Sequence, residues 1–166
     1  MKITAQEEYG LRCLLQLARA GDNNGLSVKE IAQKEGLSSA YVEKLLHLLS
    51  RAGLTQSVRG IKGGYHLTKK PSEISLALII RALGKVPTSK EICDRYTGNQ
   101  SSCVHIDNCC IRSAWTSLTQ VLEGFMESIS LSDLLGSESK MNQVLGQRVT
   151  FGGKLSSNEH GAGFKI

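Results

Sequence analysis

Residues 37–67 read LSSAYVEKLLHLLSRAGLTQSVRGIKGGYHL, and they decide the fold. In the first half, Val42, Leu45, Leu46 and Leu49 fall at i, i+3, i+4 and i+7, the spacing of one buried helical stripe. A helix is predicted over 40–52, with Gly53 to end it. In the second half the period changes. Residues 54–59 and 65–68 predict two short strands. The segment between them, with Gly60, Gly63 and Gly64, is a hairpin tip whose glycines permit a tight turn and close backbone approach.

Upstream, Ser27 and Glu30 form a capping box that opens a second helix over 27–35, which Gly36 stops. Leu37-Ser38-Ser39 is then a tight turn between two helices, the layout of a helix-turn-helix. In that motif the first residues of the second helix meet base edges in the major groove. Here they are Ser38, Ser39, Tyr41, Glu43 and Lys44. The hairpin adds a wing. Arg59, Gly60 and Lys62 lie at its tip, where a cation can reach a phosphate or a narrow minor groove. From Lys44 to Lys70 there are six Lys or Arg and no Asp or Glu, a local bias that the net charge of +5 understates.

Further out, Thr4 and Glu7 cap a helix over 4–20, in which Cys13 is expected to be a small core residue. Pro71 breaks the chain, and a short, very apolar helix is predicted over 75–83. Another helix is predicted over 110–128. Along it Ile111, Trp115, Leu118, Leu122, Phe125 and Ile129 step by 4, 3, 4, 3, 4, a heptad seam. Its natural partner is its own copy, with packing on residues 4–20 the alternative. The expected fold is mainly α with a small β-hairpin wing. It comprises a winged helix-turn-helix over 1–84, a cysteine-rich loop over 85–110, a dimerisation helix over 111–135 and a flexible tail over 136–166.

Four of the five cysteines fall within 93–110. There is no run of 18 apolar residues and no apolar signal core near the N-terminus, so a reducing cytoplasm is expected and a membrane is not. In that setting clustered cysteines bind metal or act as redox groups rather than disulfide staples. Thiolates are the usual ligands of iron–sulfur clusters. Zinc favours paired C-x-x-C spacing, absent here, and a thiol switch is the remaining chemistry. There is no phosphate loop, no HExxH pair and no pair of catalytic acids, so an enzyme is not expected.

Arg59-Gly60 followed by Gly63-Gly64-Tyr65-His66-Leu67, the Ser-x-Tyr-Val-Glu start of the 40–52 helix, and Cys93, Cys103 and Cys109 ahead of Trp115 carry a resemblance. Residues 1–135 resemble the IscR-like iron–sulfur winged-helix regulators, with NsrR and RirA as relatives. The resemblance implies a dimeric, DNA-binding repressor that senses iron–sulfur supply, redox state or nitric oxide. It implies Cys93, Cys103 and Cys109 as ligands of a cluster, 2Fe–2S before 4Fe–4S. Two features depart from the pattern. Nine residues separate Cys93 from Cys103, and Arg112 stands where the family has a His. The fourth ligand is open among Glu8, Glu43, His105, Asp107 and Cys110. A cluster-free member acting as a thiol-redox or metabolite-responsive repressor is the alternative. The seam Ile111, Trp115, Leu118, Leu122 and Phe125 would form the dimer.

Overall fold

The computed structural model describes residues 3–21, 24–60, 63–84 and 88–152. Lys62 and residues 153–166 of the expected tail lie outside that set. The elements in order are α1 (Ala5–Ala20), α2 (Val28–Glu35), α3 (Ser39–Arg51), β1 (Thr55–Val58), β2 (Gly64–Leu67), α4 (Leu76–Leu83), α5 (Ser89–Arg95), α6 (Cys110–Glu127) and α7 (Glu138–Gly152). Single 3₁₀ turns stand at Pro71–Glu73 and Asp133–Leu135.

Local chemistry sets the helix starts. Thr4, Ser27, Ser38, Ser75 and Thr88 each accept the backbone N–H three residues on, satisfying a donor the helix cannot use. At Thr4, Ser27 and Thr88 the matching Glu bonds back, completing the capping box. Gly36 ends α2 in the left-handed conformation, at φ 65.

One core fills the first half. Leu14 and Leu17 of α1, Ile31 of α2, and Val42, Leu45, Leu46 and Leu49 of α3 are buried together with Leu26, Leu54, Ile74, Ile79 and Leu83. Cys13 is fully buried there, and burial pushes its thiol up to about 12, so it is the core residue expected. The strands pair antiparallel, Thr55 opposite Leu67 and Val58 opposite Gly64. Leu26 joins the hairpin through two backbone bonds with Tyr65, of 3.1 and 2.8 Å.

A second junction attaches α6 to this domain. The segment after α6 runs back against α4: Leu76 N–H donates to Ile129 at 2.8 Å and Leu131 N–H to Ile74 at 2.8 Å. Ile129 and Leu131 are buried. Ala77, Ile80 and Met126 form a small apolar cluster with Leu76 and Leu122. Above it Glu127 accepts from Ser75 Oγ and from Arg81 Nη2, each at 2.7 Å.

Two elements differ from expectation. Cys93 sits on a helix, α5, not in a loop. Thr88 and Glu91 cap it, and Lys90 pairs with Asp94 at 2.6 Å one turn on. The tail expected to be flexible from 136 holds α7. Ser137 Oγ accepts from Lys140 N–H, and Met141, Val144 and Leu145 are half-buried at helical spacing.

The wing depends on Gly64. Its φ is +128, and a Cβ there would stand 2.8 Å from the backbone of Leu26. Gly64→Ala is therefore expected to lower stability by about 2–4 kcal/mol, from combined strain and overpacking. Urea denaturation of the variant beside the parent measures it.

Candidate nucleic-acid interface and cysteine centre

Ser39, Glu43, Lys44 and His47 are exposed along α3. Ser38 caps the helix, its hydroxyl accepting the Tyr41 N–H at 3.3 Å. Tyr41 is the exception among the residues expected to face DNA. It is half-buried, and its ring meets the Tyr9 ring edge-on at 6.1 Å, with Arg12 over Tyr9 at 5.3 Å. The aromatic contact turns Tyr41 toward α1. Arg59 and Gly60 are exposed where β1 enters the wing tip, as are Arg51, Lys69 and Lys70. No carboxylate interrupts this run of the chain to neutralise these cations.

The cysteine centre lies at the opposite end of α6 from the α4 junction. Cys93 is on α5, Cys103 in the irregular segment 96–109, and Cys109 caps α6. All three are free and half-buried, and Cys110 is exposed. Cys109 Sγ accepts the Arg112 N–H at 3.4 Å, so the sulfur sits on the electropositive end of a helix of 18 residues. Among the described residues, no three His, Cys, Asp or Glu side chains form a group able to hold a metal ion. Of the candidates for a fourth ligand, Glu8 and Glu43 lie exposed on α1 and α3, His105 and Asp107 lie exposed in the 96–109 segment, and Cys110 is the exposed first residue of α6.

Along α6, Ile111 is 59% exposed, Trp115 42%, Leu118 57% and Val121 62%. Four large apolar side chains on one stripe in water are a surface awaiting cover. Leu122 and Phe125 are half-buried, and Ile129, the last seam residue, is buried beside α4. The alternative of packing this stripe on α1 is not what the fold does.

The family model for Rrf2, the iron-dependent transcriptional regulator, matches residues 3–137. The chain belongs to the Rrf2 family. It is 32% identical over 139 residues to the protein rrf2 of Nitratidesulfovibrio vulgaris, covering 84% of this chain and 90% of the relative. It is 30% identical over 144 residues to the HTH-type transcriptional regulator IscR of Aliivibrio salmonicida, covering 87% of this chain and 82% of that one. Among solved structures it is similar to CymR, the global cysteine regulator of Bacillus subtilis, at 30% identity and a TM-score of 0.65, covering 81% of this chain and 96% of that chain.

This Rrf2 protein is thus a DNA-binding transcriptional regulator of the winged-helix kind, not an enzyme. Its helix-turn-helix is α2–α3 and its wing β1–β2. No described helix is long and apolar enough to cross a membrane. Two features escaped the sequence. Val121 extends the exposed stripe, and its place three residues after Leu118 was the available signal. Arg112 reaches back to hold the carbonyls of His105 and Ile106, which no local pattern announces.

Arg59→Ala is expected to weaken operator binding by about 1–3 kcal/mol if the guanidinium reads a base edge. If Arg59 meets only phosphate, the loss is uniform over sequences and the salt dependence becomes shallower. Fluorescence anisotropy on selected and scrambled duplexes, at several salt concentrations, distinguishes the two.

Proposed function

We propose that this Rrf2 protein is a cytoplasmic homodimeric repressor whose operator affinity is controlled by an iron–sulfur cluster, 2Fe–2S, held by Cys93, Cys103 and Cys109. One observation carries the proposal. Cys109 caps the head of α6, whose tail is joined to the DNA-binding domain, and two further half-buried free thiols, Cys93 and Cys103, lie on the α5 and loop segments that lead into it. The donor chemistry fits, because three thiols on successive pieces of chain suit a cluster that takes a weaker fourth ligand. A cluster with a non-thiolate ligand is more easily lost, which suits a sensor. The resident cluster would supply that reversible, iron- and redox-sensitive ligation.

This chain's own residues do the rest. The Cys109 sulfur is held on the α6 N-terminus. Arg112, standing where the resembled family has a His, is a cation with no lone pair to give and does not ligate. The fourth position therefore falls to His105, Asp107 or Cys110 of the same protomer, or to Glu8 or Glu43 brought by a partner subunit. Ser38, Ser39, Glu43, Lys44, Arg59, Gly60 and Lys62 are the proposed DNA contacts, with Tyr41 supporting α3 through its contact with Tyr9 of α1. The exposed stripe Ile111, Trp115, Leu118 and Val121, continued by Leu122 and Phe125, is the proposed dimer surface.

A second reading has its own support. The three cysteines do not stand together in the protomer, and a similar structure is that of a global cysteine regulator. Without a cluster, a peroxide-type oxidant would join two of these thiols as a disulfide, taking up the two electrons and two protons released.

Anaerobic purification followed by absorption spectroscopy and an iron and sulfide count separates the two. The expected result is visible absorption that each of Cys93→Ala, Cys103→Ala and Cys109→Ala removes about as fully as the triple replacement. Cys13→Ala should retain it. A colourless parent that changes its operator affinity on mild oxidation would establish the thiol reading instead.

A further inference from the structure

We infer that Arg112 is the positioning residue of the cysteine centre: its guanidinium clamps the 103–109 loop across the first turn of α6, and Cys103 is freed only when that clamp opens. The inference rests on the proposed role of these cysteines for its consequence, but its geometry is independent of any cluster. Arg112 Nη2 donates to the His105 carbonyl at 3.2 Å and to the neighbouring Ile106 carbonyl. A planar guanidinium with several fixed donors can serve two successive carbonyls at once. Its own backbone is doubly tied as well. The N–H donates to Cys109 Sγ at 3.4 Å, and the carbonyl accepts from Thr116 Oγ1 at 2.9 Å. Arg112 therefore links the body of α6, the Cys109 sulfur and the middle of the loop.

Apolar packing does not explain why the loop stays in place. Val104 is 69% exposed and Ile106 47%. Within the loop, Ile106 N–H closes a turn on the Cys103 carbonyl at 3.1 Å. The clamp at Ile106 thereby fixes Cys103 too. Cys93, Cys103 and Cys109 are not gathered into a metal-holding group in this arrangement. Bringing Cys103 to its partners moves the loop, and the Arg112 bonds must yield. Arg112 then sets how readily the thiols act together, whether they meet a metal or one another.

Site-resolved alkylation of the metal-free full chain with iodoacetamide, read by mass spectrometry, tests this without relying on a cluster. The five cysteines serve as controls for one another. Arg112→Ala is expected to speed alkylation of Cys103 about tenfold, the scale of losing a charge-assisted hydrogen bond. Cys109 should rise less, because its backbone N–H partner survives. Cys93 and Cys110 should be unchanged and Cys13 should stay unreactive. Both bonds come from Nη2, so Arg112→Lys, which keeps a cation but not the planar group that aims that nitrogen, should give a Cys103 rate between those of the parent and Arg112→Ala. Cys103 rates unchanged in both variants would overturn the inference. A rise that Cys13 shares would overturn it too, since that marks general loosening. A colourless parent protein would defeat cluster control and leave this test standing.

Discussion

The junction between α4 and the end of α6 is the constraint on which the rest depends. Ser75 and Arg81 hold the Glu127 carboxylate, and backbone bonds tie Ile74 to Leu131 and Leu76 to Ile129. Beneath them lie Ala77, Ile80 and Met126. Hydrogen bonds from Ser75 first, and then from Arg81, hold the Glu127 carboxyl below the usual carboxylate range. A depressed carboxyl stabilises the fold above its unfolded pKa, and that contribution is lost as pH falls through its folded value. The groups are about half exposed, so the ion pair is a modest part of the junction and the buried backbone pairing the larger one. The junction joins the C-terminal end of α6, a helix about 27 Å long, to the winged domain, and under the proposed function it is the path by which the cysteine centre would act on the DNA-binding surface.

The same junction explains why the seam on α6 is divided. Its C-terminal members turn toward α4, whereas Ile111, Trp115, Leu118 and Val121 remain in water. The heptad spacing announced a stripe. It did not announce where α4 would take over as the partner, because that is decided by contacts distant in sequence. The helix-turn-helix and wing were legible for the opposite reason. A 3.6-residue period giving way to glycines and short strands is local information. The α5 helix was hidden among cysteines although Thr88 and Glu91 form a capping box, and α7 was hidden because Gly146 interrupts a stripe that packing sustains.

The cysteine centre was legible as chemistry and not as geometry. The family resemblance singled out Cys93, Cys103 and Cys109 as candidate ligands, and burial separates them from Cys13, whose thiol is pushed up to about 12 inside the core. Spacing could not say that the three would lie on a helix, a loop and a cap without converging. Nor could it reveal that Arg112 braces the loop, since a long side chain reaching back six or seven residues leaves no periodic trace. A sensor benefits from such an arrangement. If the resting loop holds its thiols apart, ligation selects a second arrangement, and the free-energy difference between the two is what a DNA-binding domain can read.

Control of DNA binding by the cysteine centre is the central claim, and a ratio of two affinities tests it most directly. Operator binding is measured on one iron-loaded preparation before and after the metal is removed with a chelator under anaerobic conditions. The account predicts dissociation constants that differ by about 5- to 150-fold, the usual range of coupling between two linked sites. Equal affinities in the loaded and stripped forms would contradict it.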